Sequence, residues 1–304
     1  MSTVESTLPL APLALEATRP PWLSPTAFPF RSRFVSFGRT RFHYVDEGEG
    51  PTLLFLHGGP MSSFMWRHQI AALRSRYRCV AVDLPGLGLS STPLVRGQGF
   101  ARMADELQTF VRELGLDEFA LLVHATGGPS GLEMAIRERA RLRGLVISNT
   151  FAWPLARDPG LAKMVRIVST PLFGFLVVQL NLLPRVASRK GRRFSTLNPE
   201  ERAAILGPYD DHAARRHLAN LLYGLRVEEP FFAALAERLS QLAEVPALLL
   251  FGAEDSGYRG GSLTRFEKLL PRHTSVVLER SAHFLTEDEP EAYTDAVARW
   301  LGQR

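Results

Sequence analysis

Six short apolar runs at 53–57, 79–83, 120–124, 145–149, 247–251 and 275–279 constrain this chain most, because each ends in polar residues or glycine. Strands buried on both faces read as continuous apolar runs, whereas half-buried strands alternate. Helix-length segments lie between them, notably 101–114, 130–141 and 291–301. Strand and helix in alternation predict a parallel sheet with helices on both faces. Two β-rich runs at 33–37 and 42–46 flank Gly38-Arg39-Thr40 and predict a hairpin that opens the sheet, for eight strands in all. In such sheets chemistry collects at the carboxyl ends of the strands.

One interval breaks the alternation. Residues 150–246 are too many for a loop, and they contain an apolar stretch at 171–183, a basic stretch and a helical run at 211–225. The expected division is therefore an N-terminal extension at 1–30, a core at 31–150 and 240–304, and a helical cap at 151–239 inserted after the sixth strand.

Composition limits the function classes. With 45% apolar and 22% charged residues in 304, the chain can bury one large core, and nothing past the first 20 or so residues reads as disordered. Cys79, the single cysteine, sits in an apolar run and can form no intrachain disulfide, which fits a reducing compartment. The first residues place Glu5 before a broken Leu/Ala/Pro stretch and do not resemble a signal peptide, so the expected location is cytoplasmic. The apolar stretch at 168–184 is interrupted by Pro171, Gly174, Gln179 and Asn181 and falls short of the ~20 residues of a spanning helix.

The net charge is +5, and Arg185, Arg189, Lys190, Arg192 and Arg193 cluster. They read as a solvated helix face, with peripheral membrane contact as a second reading; no nucleic-acid motif accompanies them. No histidine spacing suits a metal, and neither metal nor cofactor is expected. His57 and His124 flank turns and read as structural.

Four strand ends carry the chemistry. His57-Gly58-Gly59-Pro60 turns backbone N–H groups toward a site, as an oxyanion hole requires. Asp83 opens a glycine-rich loop through Ser90. His124-Ala125-Thr126-Gly127-Gly128 passes from strand to helix with the small residues of a nucleophile elbow, but its tip is Ala125, whose methyl group cannot attack. Asp255 and His283 follow the last two strands, giving acid then histidine after the elbow, the chain order of a hydrolase triad.

The motifs that carry a resemblance are Pro21-Trp22-Leu23, Tyr44-Val45-Asp46-Glu47-Gly48, His57-Gly58-Gly59-Pro60 with Ser63-Phe64-Met65-Trp66-Arg67, Gly127-Gly128-Pro129, Gly207-Pro208-Tyr209 and His283-Phe284-Leu285 with Glu287-Asp288. From about Pro21 to Leu301 the chain resembles the α/β-hydrolase superfamily, specifically its haloalkane dehalogenase group, which has epoxide-hydrolase-like and β-lactone-cleaving relatives. The resemblance implies the α/β-hydrolase fold and a small apolar substrate. It implies an aspartate nucleophile at the place of Ala125, with Asp255 and His283 as acid and histidine. It also implies an asparagine or tryptophan halide ligand at the place of Gly59 and a tryptophan at the place of Thr126. None of those three side chains is present, although Gly59 and Thr126 retain backbone N–H groups for an oxyanion.

Three readings follow. The chain is a hydrolase whose nucleophile has been substituted, so that covalent-ester hydrolysis is not available to it. Alternatively it is a lyase, decarboxylase or cofactor-free oxygenase that uses His283 and Asp255 as a base. In the third reading it binds an apolar ligand without catalysis. Trp66, Phe173, Phe175, Leu176 and Leu180 are expected to line the pocket, with Tyr209 and Tyr223 as hydroxyl donors.

Overall fold

The computed structural model describes residues 19–158, 160–190 and 193–303. Glu5, most of the expected N-terminal extension, and Arg192 of the basic cluster lie outside the described residues.

β1 (Arg33–Phe37) and β2 (Thr40–Glu47) form the expected antiparallel hairpin. β3 (Thr52–Leu56), α1 (Arg67–Leu73), β4 (Arg78–Val82), α2 (Phe100–Glu113), β5 (Phe119–His124), α3 (Gly127–Arg137) and β6 (Leu142–Ser148) then alternate. After six further helices, described below, come β7 (Ala247–Gly252) and β8 (His273–Leu278). The eight-stranded sheet has the order β1-β2-β4-β3-β5-β6-β7-β8, and every pairing after β2 is parallel except β2 with β4. The expected α/β-hydrolase architecture is present.

The continuous apolar runs have a direct packing cause. On β5, Leu121 and Val123 enter one core with Leu107 and Phe110 of α2 and Met134 of α3. Ala120 and Leu122 point the other way, into a second core with Ile70 of α1 and Val297 and Trp300 near the carboxyl end of the chain. Successive strand residues face opposite sides, so a strand covered on both sides must be apolar throughout.

Between β6 and β7 lie α4 (Ala162–Val168), α5 (Pro171–Leu180), α6 (Leu182–Lys190), α7 (Pro199–Leu206), α8 (His212–Val227) and α9 (Glu229–Arg238). α9 packs back on the sheet layer: Arg238 Nη2 donates to Glu133 of α3 at 2.5 Å, and the Phe232 ring meets Phe100 at 4.9 Å. α10 (Ser256–Arg259) and α11 (Ser262–Leu269) follow β7, and α12 (Leu285–Asp288) and α13 (Pro290–Gly302) follow β8.

Candidate active site

β5 hands the chain to α3 through Ala125 and Thr126. Ala125 has φ 48°, a left-handed conformation that a non-glycine residue holds only where its surroundings enforce it. Those surroundings are visible: Gly128 N donates to Ala125 O at 3.0 Å, and Thr150 Oγ1 donates to the same oxygen at 2.5 Å. Glycines let the helix approach this closely, since a Cβ on Gly127 would lie 2.2 Å from His57 O and one on Gly128 1.9 Å from Thr150 Oγ1. The turn aims Ala125 into a cavity of about 320 Å³.

His283 lines the same cavity. Its Nδ1 lies 2.8 Å from Asp255 Oδ2, and Asp255 Oδ1 accepts from Gly257 N at 2.8 Å and Tyr258 N at 3.1 Å, capping α10. Burial works against the Asp255 charge, but the His283 ring and the Tyr258 N–H outweigh it and hold the carboxyl below its ordinary value. An ionised carboxylate only accepts, so Nδ1 is the donor; Nε2 has no partner among the described residues, and in the neutral ring it is the acceptor. The ring is partly exposed to the cavity.

The loop that carries His283 is held through its backbone. His283 O lies 2.8 Å from His124 Nε2 and 2.9 Å from Asn149 Nδ2, which also donates to Ala282 O, while Asn149 Oδ1 accepts from Gly252 N. Asn149 too has a positive φ, 39°. Sequence reasoning passed over Asn149 and Thr150. Their signal was position, directly after β6 at the carboxyl edge of the sheet.

The expected oxyanion donors need one correction. Gly59 N–H is not open to the cavity but donates to Thr126 Oγ1 at 2.8 Å, because the threonine side chain is long enough to reach it. Thr126 N–H has no acceptor among the described residues, and both residues line the cavity.

The expected pocket wall needs a larger correction, since none of its seven residues lines the cavity. Trp66 is fully buried in the second core between Phe55 and Tyr293. Phe173 packs at the edge of the first core, Phe175 and Leu180 face outward, and Leu176 is half-buried. Tyr209 is fully buried, and burial together with the nearby Asp83 charge pushes its pKa upward. Tyr223 lies beneath the Arg96 guanidinium, 5.3 Å from its ring centre. The wall is instead apolar and mostly aliphatic: Phe151, Leu161 and Met164, then Leu183 and Val186 of α6, and Leu222 and Leu225 of α8.

His57 is fully buried, accepts from Leu84 N at 2.9 Å and is held neutral by burial, as a structural histidine should be. Burial pushes the Cys79 thiol up to about 12, which removes it as a nucleophile. Among the described residues no group of three or more His, Cys, Asp or Glu could hold a metal.

Residues 51–290 match the α/β hydrolase fold family. The chain is 34% identical to haloalkane dehalogenase 2 of Mycobacterium tuberculosis, over 91% of this chain and 97% of that one. It is 27% identical to a cis-3-alkyl-4-alkyloxetan-2-one decarboxylase of Shewanella oneidensis, over 86% of each. The solved haloalkane dehalogenase DbeA of Bradyrhizobium elkani superposes with a TM-score of 0.80 at 26% identity, over 90% of this chain and 98% of that one.

Proposed function

Since the chain belongs to the α/β-hydrolase fold family and to its haloalkane dehalogenase group, we propose that it acts on a small apolar molecule without a covalent alkyl-enzyme step, using His283 and Asp255 as a general base. Ala125 stands at the nucleophile position in this reading. The observation that carries it is a complete His283–Asp255 pair facing a cavity into which the elbow projects only a methyl group.

The chemistry follows from what is left. A carboxylate nucleophile must form a bond to carbon before any ester can be hydrolysed, and an alanine side chain has no electron pair to give. His283 Nε2 can still accept a proton from water or from the substrate. The negative charge that develops on a substrate oxygen then falls to the Thr126 N–H, and one such donor contributes about 10²–10³ in rate. Haloalkane chemistry is disfavoured further, because leaving halide would meet neither an asparagine nor a tryptophan at 59 or 126. The oxetan-2-one ring named for one relative is a suitable probe, having a carbonyl oxygen to accept the Thr126 N–H and alkyl arms for the aliphatic wall.

The test uses intact mass and product analysis with a 1-bromoalkane and a cis-3,4-dialkyl oxetan-2-one. The unaltered chain should release no bromide and carry no adduct with either compound. Ala125→Asp combined with His283→Gln should accumulate a covalent adduct with the oxetanone, and His283→Gln alone should abolish the oxetanone turnover that the unaltered chain shows. Bromide release or an adduct on the unaltered chain would overturn the proposal, as would unchanged turnover in His283→Gln.

The bond between Gly59 N and Thr126 Oγ1 favours a second reading, in which the cavity holds a ligand without converting it, since one expected oxyanion donor is already taken. Saturable oxetanone binding with no product, unaffected by His283→Gln, would select that reading.

A further inference from the structure

α5 has an unusual surface. A helix that is apolar on all sides is ordinarily buried or in contact with lipid. α5 reads Pro-Leu-Phe-Gly-Phe-Leu-Val-Val-Gln-Leu with no charge, yet Val177 is its one fully buried side chain. Leu172 is 69% exposed, Phe175 59% and Leu180 54%. The inner side of α5 rests on α8, where Arg215 Nη1 donates to Val178 O at 3.2 Å, so the exposed stripe is what remains after that contact is made. Ile167 and Met164 extend the stripe onto α4.

The charges that flank it along the chain have one sign. Between Leu161 and Pro199 the sequence holds Lys163, Arg166, Arg185, Arg189, Lys190, Arg192 and Arg193, and no aspartate or glutamate. Lys163, Arg166, Arg185 and Arg189 are exposed and make no ion pair among the described residues. Arg193 differs, since it pairs with Glu254. An apolar ridge edged by cations matches the boundary of an anionic bilayer, where apolar side chains enter the acyl region and cations stay with the headgroups.

Length decides between lying on the membrane and crossing it. Ten residues at about 1.5 Å each give about 15 Å, half of a hydrocarbon core of about 30 Å. α4 and α5 are also bent by 63° to each other, and α4 carries Lys163 and Arg166. A shallow, in-plane contact is the geometry that fits. The ridge also reaches the cavity, because Met164 of the exposed stripe lines it, as does the exposed Val186 of α6.

We propose that the α4–α5 ridge docks the protein on anionic lipid surfaces, placing the mouth of the cavity against the acyl layer from which an apolar substrate enters. The docking itself stands on exposure and charge, and the entry of substrate rests on the functional reading above; the two fail separately. The full chain should float with vesicles of phosphatidylcholine and phosphatidylglycerol in equal parts. It should float much less with phosphatidylcholine alone, and added salt should release it.

Leu172→Glu with Phe175→Glu changes two exposed positions and should cut vesicle partitioning on the order of tenfold or more, with unchanged melting and unchanged binding of a soluble short-chain oxetanone. Arg185→Glu with Arg189→Glu provides a second variant that leaves the ridge intact and should also reduce flotation. Absence of flotation with the anionic vesicles would overturn the proposal, as would flotation of either variant equal to that of the unaltered chain. A concentration-dependent dimer in light scattering that is lost in Leu172→Glu/Phe175→Glu, without vesicle binding, would assign the ridge to a second copy of the chain and likewise overturn it.

Discussion

Gly59 donates its amide hydrogen to Thr126 Oγ1 at 2.8 Å, so the threonine hydroxyl occupies the place where any anion accepting from that amide would sit. The two residues come from different strand ends, β3 and β5, and their bond joins the floor of the cavity across the sheet. One side chain has converted a prospective anion donor into a structural contact.

Thr126→Val keeps the branched shape and removes the acceptor. Leaving the half-buried Gly59 N–H unpaired should cost about 1 kcal/mol, read as a lower urea midpoint at unchanged slope. Bromide or acetate should then raise the melting temperature of the variant and not that of the unaltered chain. Equal responses would show that the Gly59 amide is not the group Thr126 conceals.

Gly128→Ala tests the approach of α3 to the elbow. The new Cβ would fall 1.9 Å from Thr150 Oγ1 and 2.8 Å from Thr150 Cβ, so the bond from Thr150 Oγ1 to Ala125 O at 2.5 Å cannot survive. A loss of about 3 kcal/mol in denaturant unfolding is expected. Thr150→Ala in the same chain should recover part of it, because the clash and the lost bond share one partner. Additive costs would place the strain elsewhere.

His124 gives the fold a pH dependence with a definite sign. Burial, then the neighbouring His283, push its pKa down from 6.5 to about 3; its Nε2–H donates to His283 O, and its Nδ1 is buried without a partner. Below pH 6.5 the unfolded chain takes up a proton that the folded chain refuses. Stability therefore falls with pH by about 1.4 kcal/mol per unit until the folded value is reached. Buried His57, also shifted downward, acts in the same direction. Between pH 7.5 and 5.5 the unaltered chain should lose about 1.4 kcal/mol more than His124→Gln does, as measured by urea unfolding at each pH. Parallel losses would mean that His124 is protonated in the folded chain.

The fold was legible in the sequence, and the pairing of His283 with Asp255 was too, because both depend on local pattern. A strand covered on both faces cannot conceal its apolar run, and Asp255 lies three residues past such a run, whereas His283 follows the half-exposed edge strand β8, of which only the last residues are apolar. The cavity wall was not legible, since it depends on how helices rotate against one another. α5 is apolar on every side and gives no period by which to tell its inner face, so Phe175 and Leu180 were as plausible a lining as any. α8 did carry a signal. Its buried Leu218, Leu221, Leu222 and Leu225 fall at helical spacing and mark the inner face, and Tyr223 lies off that stripe. Thr126 was legible as a backbone position and not as a side chain, because its partner Gly59 is distant in sequence.

Arg67 joins three parts of the chain and sets the last expectation. Its guanidinium meets Glu287 of α12 through Nη1 at 2.6 Å and Nη2 at 2.8 Å, reaches Glu201 of α7 at 3.0 Å, and lies 4.3 Å from the centre of the Phe64 ring. α12 begins two residues after His283, so this pair also anchors the segment that carries His283. Arg67→Met should cost about 3–5 kcal/mol, because the almost fully buried Glu287 is left as an uncompensated charge. Adding Glu287→Leu should restore much of that loss, since an apolar pair of similar volume suits the same site. Glu201 needs no rescue, because it keeps its bond from Asn198 N and remains partly exposed. If the double variant is no more stable than Arg67→Met, the arginine acts through its packing on Phe64 and not through the carboxylate.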